Sequence, residues 1–589
     1  MADVKKINGY NIKDETARES TEELDTRTTT VENKISNLLV ETLSSLKNLT
    51  NLHEGDIVRT SGYYTVNDGG SSLYLIRLKT NDDVLNDMNI IELDDDTLIG
   101  EIIYEDKINP KVFGAYGDNN HDDSTPIQFA IDKAIELGKE LYFTGSTYLI
   151  NTRLLLKSGK LKISGDKSVT LHFGNMAENF SFQNGNTSTI ENINITNTNG
   201  STALNINETN IVETRVNKLN IVSNGYGILV NSNTNGGKDL FITDNYIKAK
   251  YDPIEINTTS TDSTKFHNVI ISNNILNADN TGSGGNSGFA IGIATGKNIT
   301  VTGNVIEESR QDGIHIEDGS ESINVVGNII KGCQKDGISL YKTEKSDVIP
   351  NITNNIIESA NKTSGYVAIK NNYTERGYHN LLNISNNYIK NFDSVIFSGW
   401  YANINADGLV ADNCNSLLKS IHAKNISGNI TLKNNTKLGS VNSPDYPCVI
   451  ESVTMDNLTD DWLTVTSSSY AIIKHLYFTK SFTVETQGDY QYIPLFKTPL
   501  SMKAIITNDV NVGANYSKAQ VEGKIISDTY TQENRFYVEN YGSITDAHSL
   551  VIRNGYLCLK IYAGSIGVGQ TFNVKCDIQG ELVFKNYNN

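Results

Sequence analysis

"VTGNVIEESRQDGIHIEDGSESINVVGNIIKGCQKDGISLYK", residues 301–342, states one pattern twice. A hexamer ending in Gly-Asn and two aliphatic residues is followed by Asp-Gly-Ile, and the pair recurs 24 residues later. The hexamer is found outside this stretch as well. "ITDNYI" stands at 242, "ISNNIL" at 271, "ITNNII" at 352, "ISNNYI" at 384 and, after an insertion, "ISGNIT" at 426. The shared asparagines, Asn245, Asn274, Asn304, Asn328, Asn355, Asn387 and Asn429, are separated by 29, 30, 24, 27, 32 and 42 residues. Self-similarity at this period indicates a solenoid, each repeat being one coil. Alternating Ile and Val point inward from short strands, and each tight corner requires a backbone that Asn or Gly tolerates. With weaker coils reaching back to "IENINI" at 190, about nine coils are expected, roughly 45 Å at the inter-strand spacing of about 4.8 Å.

The totals agree with a chain that is mainly β. Eight prolines and 5 methionines stand against 46 glycines and 29 tyrosines among 589 residues, a composition of strands and turns. A net charge of -18, with no Lys/Arg cluster interleaved with aromatics, disfavours nucleic acid as a partner. Five cysteines, widely spaced and without a CxxC, support neither a disulfide framework nor a zinc site and are expected as buried thiols. No apolar leader opens the sequence and no run of 18 apolar residues interrupts it, so the expectation is a protein made in a cytoplasm without membrane insertion.

Outside the solenoid three further regions are legible. Residues 1–50 include a seven-residue series, Leu24, Val31 and Leu38 alternating with Thr28, Ile35, Thr42 and Leu49, which predicts a short coiled coil or an amphipathic helix. Residues 51–108, with "LHEGDIVRTSGYYTVNDGGSSLYLIRL", read as a small β-rich module. Residues 109–440 hold the solenoid, opened by "VFGAYGDNNHDDSTPIQFAIDKAIELGKELYFTGSTYLI" at 112–150, where Pro126 and an apolar stripe at Ile127, Ala130, Ile131, Ala134 and Leu137 predict a helix covering the open end. Asp118, His121, Asp122 and Asp123 just before it are expected as capping and dipole partners. Residues 441–589 lose the hexamer and alternate strictly between turns, which predicts a separate antiparallel β-sandwich.

Three of these segments also carry a resemblance. "INGYNIKDETAR" resembles the N-terminal attachment segment of tail and baseplate proteins of phages infecting Gram-positive bacteria, and "GDIVRTSGYYTVNDGGSSLYLI" looks like the head module of many phage tail spikes. "VFGAYGDNNHDDSTPIQFAIDKA" with "LYFTGSTYLI" is similar to the entry motif of pectate-lyase-like right-handed parallel β-helix proteins, departing from it at Asn119, Ser124 and Thr144. The resemblance covers residues 1 to about 435. It implies a homotrimeric tail spike or receptor-binding protein, held to baseplate or tail proteins through residues 1–50. Such a protein is a virion component that engages a host surface polysaccharide, wall teichoic acid or capsular or exopolysaccharide, and often depolymerises it. A non-enzymatic adhesin and a structural baseplate protein on the same scaffold remain as alternatives, because the fold does not dictate the activity.

Candidate chemistry lies on one strand of each coil. Aligned on the inward pairs Ile228/Val230, Ile254/Ile256, Ile291/Ile293, Ile314/Ile316, Ile338/Leu340 and Val367/Ile369, the residue between each pair faces out, giving Leu229, Glu255, Gly292, His315, Ser339 and Ala368. The next outward column reads Asn231, Asn257, Ala294, Glu317, Tyr341 and Lys370, and the one before contains Asp252, Asp312 and Asp336. Glycoside hydrolysis requires two carboxyl groups, about 5 Å apart for retention and about 6.5–9.5 Å for inversion. Asp312 with Asp336 would suit the shorter distance, Glu255 with Asp312 or Glu317 the longer. His315 could instead be the base of an elimination. The candidate catalytic residues are therefore Glu255, Asp312, His315, Glu317 and Asp336, and the candidate glycan contacts are Asp252, Arg310, Tyr341, Lys370, Tyr373 and Trp400. No metal site is visible and no cofactor is required, although uronate lyase chemistry would make a divalent cation useful.

Overall fold

The computed structural model describes residues 38–585 except 157–158, 175–177, 183–186, 207–211, 233–236, 259–265, 280–286, 342–349, 373–378, 399–400, 435, 443–446, 467–468, 485–489, 498, 500, 513–514, 527–528, 542–548 and 563–567. The attachment segment and the heptads before residue 38 lie outside the described residues, as do Tyr373 and Trp400. Two compact units are resolved, residues up to 154 with 160–172, and residues 155–159 with 173 onward.

In the first unit a five-stranded sheet takes the order Leu39–Val40, Ile57–Thr60, Leu73–Leu78, Leu98–Ile103, Ile90–Glu92. The module therefore begins earlier than residue 51, since Leu39 pairs in parallel with Arg59. The last heptad positions do not continue a coil. Thr42 caps the five-residue helix Leu43–Lys47, its hydroxyl accepting from Ser45 N at 3.2 Å, and Leu43 and Leu46 turn into the module's core. A β-branched residue with a hydroxyl serves better as an N-cap than inside a helix, which is where the local chemistry overrides the periodicity.

The predicted cap helix is Ser124–Leu137, burying Ile127, Ala130, Ile131 and Ala134 and ending at Gly138 in the left-handed region. Asp123 occupies the N-cap position but makes no cap bond; its buried carboxylate accepts from Tyr116 N and Gly117 N at 2.6 and 3.0 Å. Asp122 takes the capping role instead, accepting from Ser124 N at 3.0 Å. The first parallel ladder follows, with Glu140–Phe143 between Lys107–Ile108 and Lys160–Gly165.

The second unit is a parallel β-solenoid of about 11 turns. Each coil contributes three strands. Gly296–Thr302, Val305–Glu308 and Ile314–Glu317 form one coil and pair in parallel with Glu321–Val326, Ile329–Cys333 and Ile338–Tyr341 of the next. Inward Ile, Val and Leu side chains of every coil are buried, so the apolar core is one continuous column.

The asparagine hexamer marks the corner between the first two strands, and two consecutive residues divide its work. The residue before each asparagine takes the left-handed conformation: Asp244, Asn273, Gly303, Gly327, Asn354 and Asn386 all have φ between 56° and 68°. The asparagine itself is buried and stacks. Asn245 Nδ2 donates to Asn274 Oδ1 at 2.9 Å, Asn274 to Asn304 at 2.9 Å, Asn304 to Asn328, Asn328 to Asn355 and Asn355 to Asn387 at 3.0 Å each. Asn429 lies outside this ladder: it is exposed and bonds to Asp407. Its strand, Ala423–Lys433, runs through the corner without breaking, so no pocket forms for the amide.

The parallel ladder does not stop at residue 440. Cys448–Met455 pairs in parallel with Ala423–Lys433, and Tyr470–Thr483 pairs in parallel with Cys448–Met455. These coils lack the hexamer because long unbroken strands replace the asparagine corner. Antiparallel pairing begins where Tyr470–Thr483 meets Thr571–Lys585, and continues through Ser501–Val512, Asn515–Ile526 and Thr529–Tyr541. A separate three-stranded sheet orders Tyr490–Lys497, Tyr556–Tyr562 and Ser549–Arg553. All five cysteines are free and buried, as their isolation in the sequence predicts.

Candidate functional site

The outward column on the third strand of each coil is in register as expected from Leu229 through Glu255, Gly292 and His315 to Ser339. It then departs by two residues. Ile338 pairs with Ile369, not with Val367, so Lys370 follows Ser339 and Asn372 follows Tyr341. A slip of two preserves which side chains face out, so the alternation of apolar residues alone could not detect it.

The aspartates of the preceding column are not on the surface. Asp252, Asp312 and Asp336 are 2%, 5% and 3% exposed. Each places one oxygen on the next segment of backbone: Asp252 Oδ1 accepts from Gly288 N, Asp312 Oδ1 from Asp336 N at 3.1 Å, and Asp336 Oδ1 from Val367 N at 2.7 Å. The Asp-Gly corner turns these carboxylates along the edge of the coil, where unpaired N–H groups draw them in. The second oxygen is then aimed at a functional group. Asp312 Oδ2 holds His315 Nδ1 at 2.7 Å and Asp336 Oδ2 holds Lys370 Nζ at 2.6 Å. The outward-facing column expected for Asp252, Asp312 and Asp336 is thus a row of buried carboxylates bonded to backbone N–H groups. Burial raises the Asp336 carboxyl, the charge of Asp312 adds to the rise, and Lys370 opposes it.

His315 sits between two carboxylates, its Nε2 being 3.1 Å from Glu317 Oε2. Phe289 stacks on the imidazole at 4.4 Å and 18°, and the Tyr341 ring lies 6.5 Å away. Burial alone would lower the imidazole pKa, but the bonds to Asp312 and Glu317 prevail and hold it at about 9. At neutral pH His315 is a cation with both ring nitrogens donating.

Two coils away Glu255 and Asp252 form an acid pair. Gly292 stands beside Glu255 in the ladder, and a Cβ there would lie 1.8 Å from Glu255 Oε2, so the missing side chain leaves the space this carboxyl fills. Burial and the charge of Asp252 push the Glu255 carboxyl well up, Glu317 adds to the effect, and His315 opposes it. Asp252 is itself raised to about 6 by burial, against the hydrogen bonds it accepts from Gly288, Glu255 and Phe289. Burial and the neighbouring charge both favour the protonated form of Glu255, which suits a hydrogen bond from it to Asp252. Its Oε2 is shut off from solvent and has no hydrogen-bond partner among the described residues. Arg310 folds over Gly288, bonds to Ser287 O and lends positive charge to Asp252.

Two residues of this cluster escaped the sequence reading. Phe289 occupies, in the coil of Ile291, the position that Asp252, Asp312 and Asp336 take in theirs, so completing that column would have found it. Tyr226, whose hydroxyl is raised to about 12 by burial and by the charges of Asp252 and Glu255, occupies the same position in the coil of Ile228, one before that of Asp252.

Residues 107–339, which include Asp252, Glu255, Asp312, His315, Glu317 and Asp336, match the family model described as rhamnogalacturonase A/epimerase, pectate lyase-like. The molecule is thus a right-handed parallel β-helix protein with a pectate-lyase-like segment. Among solved structures it is similar to a tailspike protein of Acinetobacter baumannii bacteriophage Fri1, a capsular polysaccharide depolymerase, at 12% identity over 93% of this chain and 100% of that one, with a TM-score of 0.38. It is also similar to Pantoea stewartii WceF, a glycan biofilm modifying enzyme with a bacteriophage tailspike-like fold, at 11% identity over 94% of this chain and 76% of that one, TM-score 0.37. A third likeness is ORF18 of Geobacillus virus E2, at 13% identity over 88% and 90%, TM-score 0.28. No curated protein matches the chain in sequence.

Proposed function

We propose that this protein is a phage tail spike that binds a surface polysaccharide of a Gram-positive host, wall teichoic acid or a capsular or exopolysaccharide, and cleaves it by glycoside hydrolysis. The observation that carries the reading is the Glu255 carboxyl seated in the space left by Gly292 beside Asp252, one of its oxygens buried without a partner among the described residues and its pKa pushed well up by that burial. An acid that keeps its proton at neutral pH is what a glycosidic oxygen needs when its bond to the anomeric carbon breaks. Glu255 gives up that proton to the leaving oxygen and becomes a carboxylate beside Asp252, until the proton that the base takes from water returns to the pair through solvent.

Glu317 is the partner base. Its carboxylate lies beside the His315 cation, two coils from Glu255 and two residues further along the strand, since Glu255 lines up through Gly292 with His315 and Asn257 through Ala294 with Glu317; the two backbones are about 12 Å apart and both side chains reach into the space between. That separation leaves room for a water, which Glu317 deprotonates as it attacks the anomeric carbon from the opposite face, and the configuration inverts. The elimination alternative weakens here, because an imidazole held charged by two carboxylates cannot accept a proton at neutral pH. His315 with Asp312, and Lys370 with Asp336, are positioning pairs. A divalent cation is not part of this scheme. Attachment to the virion through residues 1–50 and assembly as a homotrimer belong to the same proposal.

The test is incubation of the protein with purified wall and capsular polysaccharides of candidate hosts, with products sized and weighed by mass spectrometry. Oligosaccharides carrying one added water, absent with Glu255→Gln, are expected. Saturable binding without fragments would leave an adhesin, and unsaturated ends would replace hydrolysis with elimination.

A further inference from the structure

The three-stranded sheet of the C-terminal region has two faces of opposite character. Strand Tyr556–Tyr562 lies between Tyr490–Lys497 and Ser549–Arg553, with Tyr492 opposite Lys560 and Arg553 opposite Tyr556. Alternation sends Ile493, Leu550, Leu557 and Leu559 into the core, all 2% exposed or less. The other face lines an open cavity of about 810 Å³ with Tyr490, Tyr492, Pro494, Arg553 and Lys560.

The two cations in this cavity are held by rings. The Arg553 guanidinium lies 4.2 Å over the Tyr492 ring, and Lys560 Nζ lies 4.0 Å over Tyr490 and 5.9 Å from Tyr492. Neither forms an ion pair with a carboxylate among the described residues, and the one acid in the lining, Asp460, is bonded to Lys480 at 3.1 Å. The hairpin turn fixes Arg553 in place, because Asn554 and Gly555 both take positive φ, 52° and 78°, the geometry of a tight two-residue connection. In a chain of net charge -18, a concave face that concentrates two cations without carboxylate partners among the described residues suits an anionic ligand. Ring faces and Pro494 supply the flat apolar wall on which a sugar lies.

We propose that this cavity is a binding site for an acidic saccharide, Arg553 and Lys560 engaging its carboxylate or phosphodiester groups and Tyr490, Tyr492 and Pro494 its sugar or polyol backbone. The site shares no residue with the Glu255 cluster. It would hold an anionic polymer whether or not the protein cleaves one.

Calorimetric titration of the full chain in the Glu255→Gln background tests this, using an oligogalacturonate, a glycerol-phosphate oligomer and a neutral malto-oligosaccharide as probes. At least one acidic probe should bind, more weakly as salt rises, and Arg553→Gln/Lys560→Gln should weaken it tenfold or more. Which acidic probe responds distinguishes a carboxylated glycan from a teichoic-acid type of polymer. Arg553→Lys keeps the charge without the planar fork and should lose part of the affinity, which provides a readout should the double variant melt early. The proposal is overturned if neither acidic probe binds at millimolar concentration, if the double variant binds as the parent does, or if the neutral probe binds equally well. It is also overturned if the double variant changes only the number of subunits in solution, since the face would then cover a second copy. Absence of cleavage by the unmodified protein would refute the hydrolase reading and leave this result standing.

Discussion

Replacing Asn304 by alanine should cost far more than replacing Asn429, although both occupy the same position of the same hexamer. Asn304 is fully buried, its Nδ2 donating to Ile271 O at 2.9 Å and to Asn328 Oδ1 at 3.0 Å, its Oδ1 accepting from Asn274 N at 3.0 Å and Asn274 Nδ2 at 2.9 Å. Asn328 Oδ1 still receives Asn304 N at 3.0 Å, and Asn274 Nδ2 still reaches Ile242 O at 2.9 Å, so those two groups keep a partner. Asn274 N–H and Ile271 C=O lose theirs from Asn304 inside the solenoid, at about 1–3 kcal/mol each. With a term for the space left by the amide, the total is about 3–5 kcal/mol. Asn429 is exposed and its side-chain amide donates to Asp407 Oδ1 at 3.3 Å, a carboxylate its own backbone N–H also reaches, so its alanine variant should stay within about 0.5 kcal/mol. Hydrogen exchange read by mass spectrometry over residues 268–280 and 300–310 measures this locally. Protection in Asn304→Ala should fall by roughly 100-fold or more, tenfold for every 1.4 kcal/mol. A loss under about 1 kcal/mol, or equal losses at the two positions, would refute the ladder as a source of stability.

Three further outcomes follow from the same geometry. Gly292→Ala places a Cβ where Glu255 Oε2 now lies, and because a carboxyl misplaced by about 1 Å can cost 100-fold in rate, polysaccharide cleavage should drop by about that factor while substrate binding and melting temperature hold; unchanged cleavage would remove Glu255 from the mechanism. His315 has a raised pKa, so its contribution to stability is fully present below its ordinary value of about 6.5 and is lost as pH rises through about 9. The melting temperature should decline across that window, and His315→Gln should remove this part of the decline. Lys370→Met leaves Asp336 buried without its cation, and should destabilise by about 2–3 kcal/mol, below the 3–5 of a fully buried pair because Lys370 keeps 31% of its side chain exposed. An Asp336→Asn change in the same background should restore most of that loss in thermal or urea denaturation.

Much of the architecture was legible because a solenoid writes its period into the chain. The spacing of Asn245 to Asn387 located the corners, and the Ile and Val pairs located the core, since both follow from side-chain direction in a strand. The column Leu229, Glu255, Gly292, His315, Ser339 came from the same rule and holds in the ladder. The two-residue slip at Ile369 was not legible, nor were the coils beyond residue 440, where continuous strands take the place of the asparagine corner.

What the sequence determined by itself was which residues share a coil and which face they take, because alternation and repeat length are local properties of the backbone. What only the tertiary structure decided was the company each acid keeps. Asp312 and Asp336 read as surface carboxylates beside glycines, yet the adjoining coils draw them in to satisfy backbone N–H groups of Asp336 and Val367 and then His315 and Lys370. Glu255 reads as one acid in a column, yet the absence of a side chain at Gly292 and the nearness of Asp252 bury it in an acid pair that favours its protonated form. Protonation depends on burial and on charges up to two coils distant, tens of residues away in the chain, and no local pattern contains that information.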